Sequence, residues 1–204
     1  MKYQNLSISL LDQKNTDDIY EVWANSLPNN LKTLIGKEII KNYLDKYFEV
    51  DSNLGVGVFE SKKLIGFILF GDDKKIVNKV IKKNWKKIII IFFKNILKLE
   101  IKKVARFIDT LIFVILNKKF EEKIKNNNKN TELIIVGVTT EWQNKGVGTF
   151  LVNKVFEKYK NYFLKFEYIF VKTLPTAQNL IYYKKLNFLN EAKIVGRVYL
   201  KKKI

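Results

Sequence analysis

Leu6, Ile8 and Leu10 alternate with Ser7 and Ser9, and this period of two predicts a strand. Asn15-Thr16-Asp17 then offers a helix N-cap, Ile19, Tyr20, Val22 and Trp23 open a helical stripe, and Pro28 ends it. Between Lys37 and Phe48 the apolar positions Ile39, Ile40, Tyr43, Leu44, Tyr47 and Phe48 recur at helical spacing. Gly55–Glu60 and Leu64–Phe70 are short β-rich runs joined by Ser61-Lys62-Lys63, a hairpin signal. Lys74–Lys125 holds neither Gly nor Pro and predicts two or three helices, followed by the polar linker Asn126–Asn130. Glu132–Val138 reads as a buried strand. A helix then opens at Gly146-Val147-Gly148 and carries Val147, Phe150, Leu151, Val155, Phe156 and Tyr159 on one face. Tyr168–Leu174 is a strand ended by Pro175, Ala177–Leu186 a helix, and Ala192–Val195 and Arg197–Leu200 two closing strands. The order is β-α-α-β-β, an insert, then β-α-β-α-β-β, with no internal repeat. Such interleaving implies an α/β fold with a mixed sheet covered by helices on both faces.

The length of 204 residues suits one domain, 1–204, with a basic helical insert at 72–130. An apolar content of 47 % supports a sizeable core. The chain has no Cys and no His, which excludes disulfides, thiolate nucleophiles, His-based triads and His metal ligands. No metal site is expected, and any chemistry falls to carboxylates, Lys, Tyr, hydroxyls, backbone amides or a bound co-substrate. The net charge is +18, with Lys supplying all but Arg106 and Arg197 of the basic side chains. The abundance of Lys, Asn and Ile together suggests AT-rich codons, so part of this charge is compositional habit. Its distribution says more. Residues 74–125 hold fifteen lysines and Arg106 against Glu100, Asp109, Glu121 and Glu122, which places +12 of the +18 in a quarter of the chain. A basic surface attracts phosphate-bearing molecules, nucleic acid or acidic membranes. Two arginines argue against sequence-specific DNA reading. Met1–Leu10 shows no signal-peptide pattern, and the apolar runs Ile88–Phe93 and Thr110–Asn117 are too short to span a bilayer. The expected location is the cytoplasm, with peripheral placement at the inner membrane face through 74–125 as an option.

The sharpest chemical feature is Gln143-Asn144-Lys145-Gly146-Val147-Gly148-Thr149, set after a strand and opening a helix. The first turn of a helix has unpaired N–H groups and a partial positive charge. Glycines there remove Cβ atoms that would keep an anion at a distance, and Lys145 adds a full charge. The combination predicts a pyrophosphate seat. Its spacing differs from a Walker A loop and from the dinucleotide G-x-G-x-x-G fingerprint.

Q-x-x-G-x-G in this setting resembles the coenzyme A loop of the GNAT acetyltransferase superfamily. Tyr182-Tyr183-Lys184-Lys185-Leu186-Asn187-Phe188 resembles that family's aromatic-Tyr-x-x-x-Gly-Phe segment. The likeness covers Glu132–Phe188 closely, Leu6–Phe70 by element order alone, and the insert not at all. It implies a mostly antiparallel twisted sheet of about seven strands, splayed between the fourth and fifth, Glu132–Val138 and Tyr168–Leu174. Gly137 would sit at a bulge that opens the ladder. The resemblance also implies acetyl-CoA as co-substrate. Backbone groups of Val136 and Val138 would pair with its pantetheine arm, the N–H groups of Gln143, Asn144, Lys145, Gly146, Val147, Gly148 and Thr149 would hold the pyrophosphate, and Tyr183 would protonate the departing thiolate. Two positions depart from the pattern. Asn187 replaces the usual Gly, and Asn tolerates the left-handed cap conformation next best. Thr176 stands where an Asn is common, with Asn179 four residues before Tyr183 as the alternative contact to the pantetheine arm.

Direct transfer to an amine needs no Cys or His, and Glu132, Glu141 or a water chain are the candidates to accept the amine's proton. Glu132 otherwise reads as a solvated strand residue and Trp142 as an apolar plug under the loop. The insert reads as a Lys-coated lid, as a surface for anionic lipid, or as a roof over a phosphate-bearing substrate. The expected activity is acetyl transfer to a small primary amine, a nucleotide-linked amino sugar foremost. The alternatives are a peptide or protein amino group, and a non-catalytic membrane- or nucleic-acid-binding module on the same fold.

Overall fold

The computed structural model describes residues 3–26, 36–72, 74–97, 105, 108, 129–194 and 196–204. Seven strands form one sheet: β1 (Leu6–Leu10), β2 (Leu54–Glu60), β3 (Lys63–Gly71), β4 (Asn130–Val138), β5 (Tyr168–Thr173), β6 (Leu189–Ile194) and β7 (Arg197–Lys203). Their order is β1-β2-β3-β4-β5-β7-β6. Only β4 and β5 run parallel; every other neighbouring pair is antiparallel.

Helices cover both faces. On one side lie α1 (Thr16–Ser26), α2 (Lys37–Phe48) and α3 (Lys74–Leu97). Ile19, Val22 and Trp23 of α1 and Ile39, Ile40, Tyr43, Leu44 and Tyr47 of α2 bury against Leu64, Phe67, Leu69 and Ile135. On the other side α4 (Val147–Lys158) sets Val147, Leu151, Val152 and Val155 on Val56, Val58, Ile68, Phe70, Leu133, Ile169 and Val171. A short helix, α5 (Lys160–Phe163), and α6 (Ala177–Lys185) complete that layer. Burial on both faces explains why Leu64–Phe70 is a nearly unbroken apolar run and not an alternating one. The Tyr47 hydroxyl locks the end of the β2–β3 hairpin, donating to the carbonyls of Leu54 (2.9 Å) and Phe70 (2.6 Å).

Several sequence expectations need correcting. The first helix is led by a 3-10 turn (Gln13–Asn15) whose cap is Asp12, bonded reciprocally with Asn15, and not by the Asn15-Thr16-Asp17 cap. The bulge in β4 lies at Ile134 and not at Gly137. Register with β3 runs Leu69↔Ile135 and then Phe70↔Leu133, so Ile134 is the extra residue. Ile134 and Ile135 accordingly both pack toward α1 and α2. Gly137 stays in register with Phe67, and its lack of a Cβ admits that ring, whose Cε1 would stand 2.6 Å from one. Of the predicted insert, α3 is one helix; Thr110–Asn117 and residues 126–128 of the linker lie outside the described residues, as does Pro28.

Candidate active site

The ladder between β4 and β5 is short. Asn130, Thr131 and Glu132 pair with Tyr168, Ile169 and Phe170, and there the pairing stops. Both strands continue, held only from outside: β4 by β3 up to Val138, and β5 by β7 up to Thr173. The result is a V-shaped gap whose inner edges are backbone.

Glu132 closes the base of the V. It is buried, and its carboxylate lies 3.0 Å from the Lys172 ammonium on the neighbouring strand. The expectation of a solvated Glu132 is therefore overturned. The strand places this side chain inward, and the parallel register brings Lys172 to meet it.

The gap opens toward the loop after β4. Thr140–Trp142 form a 3-10 turn, Asn144 and Gly146 adopt left-handed backbone (φ +58° and +84°), and α4 starts at Val147. Among the described residues, the N–H groups of 144–149 have no acceptor, whereas Gln143 donates its N–H to the carbonyls of Thr139 and Thr140. Gln143 is instead a brace. Its side-chain amide donates to the carbonyls of Val138 (2.9 Å) and Ser26 (3.3 Å), tying the loop to the ends of β4 and α1. Gly146 is required by its positive φ and by Tyr3, whose hydroxyl oxygen would be 2.6 Å from an added Cβ. Tyr3 supports the loop from behind: it donates to the Lys145 carbonyl (2.9 Å) and stacks on Phe150 at 4.5 Å. The sequence signal for Tyr3 is slight, since a lone aromatic ahead of the first strand has no local pattern to explain it. Lys145 holds its ammonium over the half-buried Trp142 ring at 5.3 Å. Val147 is buried, Thr149 half-buried, and Val136 and Val138 pack against the core beneath α4.

Helix α6 supplies the phenols. Thr176 caps it, accepting from the Asn179 N–H (3.2 Å), while the Asn179 side-chain amide donates to the Leu174 carbonyl (3.3 Å). At the other end Asn187 takes a left-handed conformation (φ +62°), its N–H donating to the Lys184 carbonyl and that of Phe188 to the Tyr183 carbonyl. This is a Schellman cap, formed with Asn in the glycine position. Its apolar contact is Phe188 against Tyr183, with ring centroids 5.6 Å apart. Tyr183 also meets Tyr182 edge-on at 5.0 Å, and its hydroxyl has no hydrogen-bond partner among the described residues. The Tyr182 hydroxyl is buried without a partner and would sit 3.3 Å from a Cβ on Gly148, at the first turn of α4. Burial pushes both phenols well above the ordinary tyrosine pKa, so each is protonated through neutral pH.

The free N–H groups, the bare first turn of α4 and the unpartnered Tyr182 hydroxyl converge on one end of the gap. They fit a phosphate-bearing ligand that continues inward as an extended, amide-containing chain. Glu141 is exposed on the 3-10 turn. Among the described residues no cluster of three carboxylates is placed to hold a metal ion.

Residues 106–188 match the acetyltransferase (GNAT) family. No curated protein sequence matches the chain. Solved structures share the fold at low identity. The PaiA N-acetyltransferase of Thermoplasma acidophilum, in complex with coenzyme A, is 13% identical over 98% of this chain and 99% of its own, with a TM-score of 0.56. The ribosomal-protein-S18-alanine N-acetyltransferase of Escherichia coli is 9% identical over 98% and 94%, with a TM-score of 0.58. A GNAT family acetyltransferase of Elizabethkingia anophelis with acetyl-CoA bound is 15% identical over 98% and 99%, with a TM-score of 0.53. The sequence match thus spans the gap, the loop and α6, and the chain as a whole shares its fold with solved GNAT acetyltransferases.

Proposed function

We propose that this protein is an acetyl-CoA-dependent N-acetyltransferase that moves the acetyl group directly onto the primary amine of a small molecule. The observation that carries this reading is the meeting of three features: a β4–β5 gap with open backbone edges, six unclaimed N–H groups at residues 144–149, and two protonated phenols on α6. Acetyl-CoA supplies an activated thioester when bound. The N–H groups of 144–149 hold its diphosphate, with Lys145 adding charge. The open edge of β4 at Val136 and Val138 takes the amides of the pantetheine arm. The Val138 carbonyl already accepts from Gln143, which leaves the rest of that edge for the ligand. Asn179 is anchored to Leu174 by one amide N–H, which leaves its amide oxygen and second N–H for the arm.

Tyr183 carries the proton step. As the amine nitrogen bonds to the acetyl carbon and the carbon–sulfur bond breaks, the Tyr183 hydroxyl gives its proton to the sulfur, and the proton shed by the nitrogen as the amide forms returns, through water, to the phenolate. Burial keeps the phenol protonated at neutral pH, so its proton is present when the sulfur departs. Glu132 is held by Lys172 and Glu141 is exposed on its turn, so neither is assigned the proton of the incoming ammonium, which leaves to water.

For the acceptor we favour an anionic amine of the nucleotide-linked amino-sugar class, supported by the net charge of +18. Calorimetry with coenzyme A checks the donor site, and heat must be seen. Tyr183→Phe is expected to lower kcat about a hundredfold with coenzyme A affinity within twofold, the loss typical of removing a positioned acid. Unchanged turnover in that variant removes Tyr183 from the chemistry. Turnover compared across nucleotide-linked amino sugars, polyamines and peptides with free amino ends selects the acceptor.

A further inference from the structure

Helix α3 carries apolar side chains on two faces. Ile76, Val80, Ile88 and Ile91 pack inward on the α1–α2 layer, and the Asn84 side-chain amide is buried against the Val80 carbonyl (2.9 Å). The opposite side presents Ile81, Trp85, Ile89 and Phe93, one every fourth residue, exposed by 46%, 52%, 44% and 56%. Around this row stand Lys79, Lys82, Lys83 and Lys86, none with a carboxylate partner among the described residues. Lys86 rests over the Trp85 ring at 5.7 Å. Lys87, nearer the inner face, is paired with Glu38. In its 24 residues α3 contains eight lysines and no acidic side chain.

We propose that this outward face docks on the surface of an anionic lipid bilayer, with α3 lying in the interfacial plane. The inference is independent of acetyl transfer. Its occupant is identified by complementarity of two kinds at once. A row of aliphatic and aromatic side chains fits the boundary between headgroups and acyl chains, where Trp in particular is favoured. A lysine rim without acids fits a negatively charged headgroup layer. RNA would satisfy the lysines and leave the aliphatic side chains in water. A second copy of the same face would cover the row but bring two lysine rims together. No described helix is long and apolar enough to cross a membrane, so α3 lies on the surface, still attached to the core by its inner face.

The test is co-sedimentation of the full chain with phosphatidylcholine vesicles, with and without phosphatidylglycerol, at low and high salt. Trp85 is a built-in reporter, since Trp23 is buried and Trp142 half-buried. The expected result is binding only to the phosphatidylglycerol vesicles, weakened more than tenfold at high salt, with a blue shift of Trp emission that is absent from Trp85→Phe. Replacing Lys79, Lys82, Lys83 and Lys86 by Gln is expected to lower the partition coefficient about a hundredfold or more, at roughly fivefold for each lysine near an anionic surface. Trp85→Ser with Phe93→Ser is expected to abolish the residual binding at moderate salt, with circular dichroism verifying that the fold is retained. The proposal is overturned by absence of binding at low salt, by equal binding to neutral vesicles, or by a wild-type Trp emission that vesicles leave unchanged. It is equally overturned if RNA binds and vesicles do not, or if the face proves to be a dimer contact, dissociating on Trp85→Ser with no vesicle binding.

Discussion

The two stretches of β4 are built to opposite ends. Residues 130–132 are paired to β5, Glu132 also to Gly71 of β3, and they finish in the Glu132–Lys172 ion pair. Residues 133–138 are paired on one side only, to β3, and run out to the brace at Gln143. The contrast shows that the cleft is made by withholding a ladder, not by deleting chain. Both strands keep their length, each is held by its outer neighbour, and the inner edges stay unpaired beyond Glu132 and Phe170. An open edge is a liability in most proteins. Here the closed base and the layers of helices confine it to the gap between β4 and β5.

Three changes bear on this contrast. The largest effect is expected at the base. Glu132→Ala takes the carboxylate away from the Lys172 ammonium and should destabilise the fold by about 3 kcal/mol in denaturant unfolding, toward the low end for a broken buried pair because Lys172 retains some access to water. Replacing both partners together, Glu132→Leu with Lys172→Met, should restore most of that stability. A loss under 1 kcal/mol in the single variant would mean that the pair does not close the V. Next comes the loop. Gly146→Ala forces a Cβ onto a positive φ and against Tyr3, at a cost of about 1–3 kcal/mol. Coenzyme A affinity should fall more than tenfold, while hydrogen exchange at Thr131 and Ile169 stays as in the wild type. Equal loosening of both stretches would erase the distinction between them. The smallest effect is at high pH. Burial raises the Tyr182 and Tyr183 phenols above their unfolded values, so their contribution to stability is full below about pH 10 and is lost as pH climbs beyond it. Tyr182→Phe should flatten that alkaline decline and leave stability at pH 7 nearly unchanged, since the hydroxyl it removes has no partner. An unaltered decline in thermal scans from pH 8 to 11 would count against burial as its cause.

The sequence disclosed what is local. Strand alternation at Leu6–Leu10, the helical stripe of Lys37–Phe48, the glycines ahead of α4 and the left-handed cap at Asn187 all follow from near neighbours, and each stands where expected. What depends on distant chain was not legible. Glu132 read as solvated because its partner is forty positions away and meets it only through the parallel register. The resemblance to the acetyltransferase family implies a bulge at Gly137, and the structure has it at Ile134. The true mark was the run Leu133-Ile134-Ile135, which breaks the alternation and puts two isoleucines on one face. Gln143 was read for its N–H, whereas its side chain does the bracing, reaching across to Ser26. The cap at Asp12 was available as Asp12-x-x-Asn15, but the more helix-like Asn-Thr-Asp drew the reading.

The Schellman turn at Asn187 has a consequence for timing. Phe188 folds back on the ring of the residue whose carbonyl its own N–H grips, so the Tyr183 side chain loses its rotamer freedom when the domain folds. In the reaction we propose, the conformational entropy of aiming the phenol is thus spent once, on folding, and no donor molecule has to spend it again on arrival.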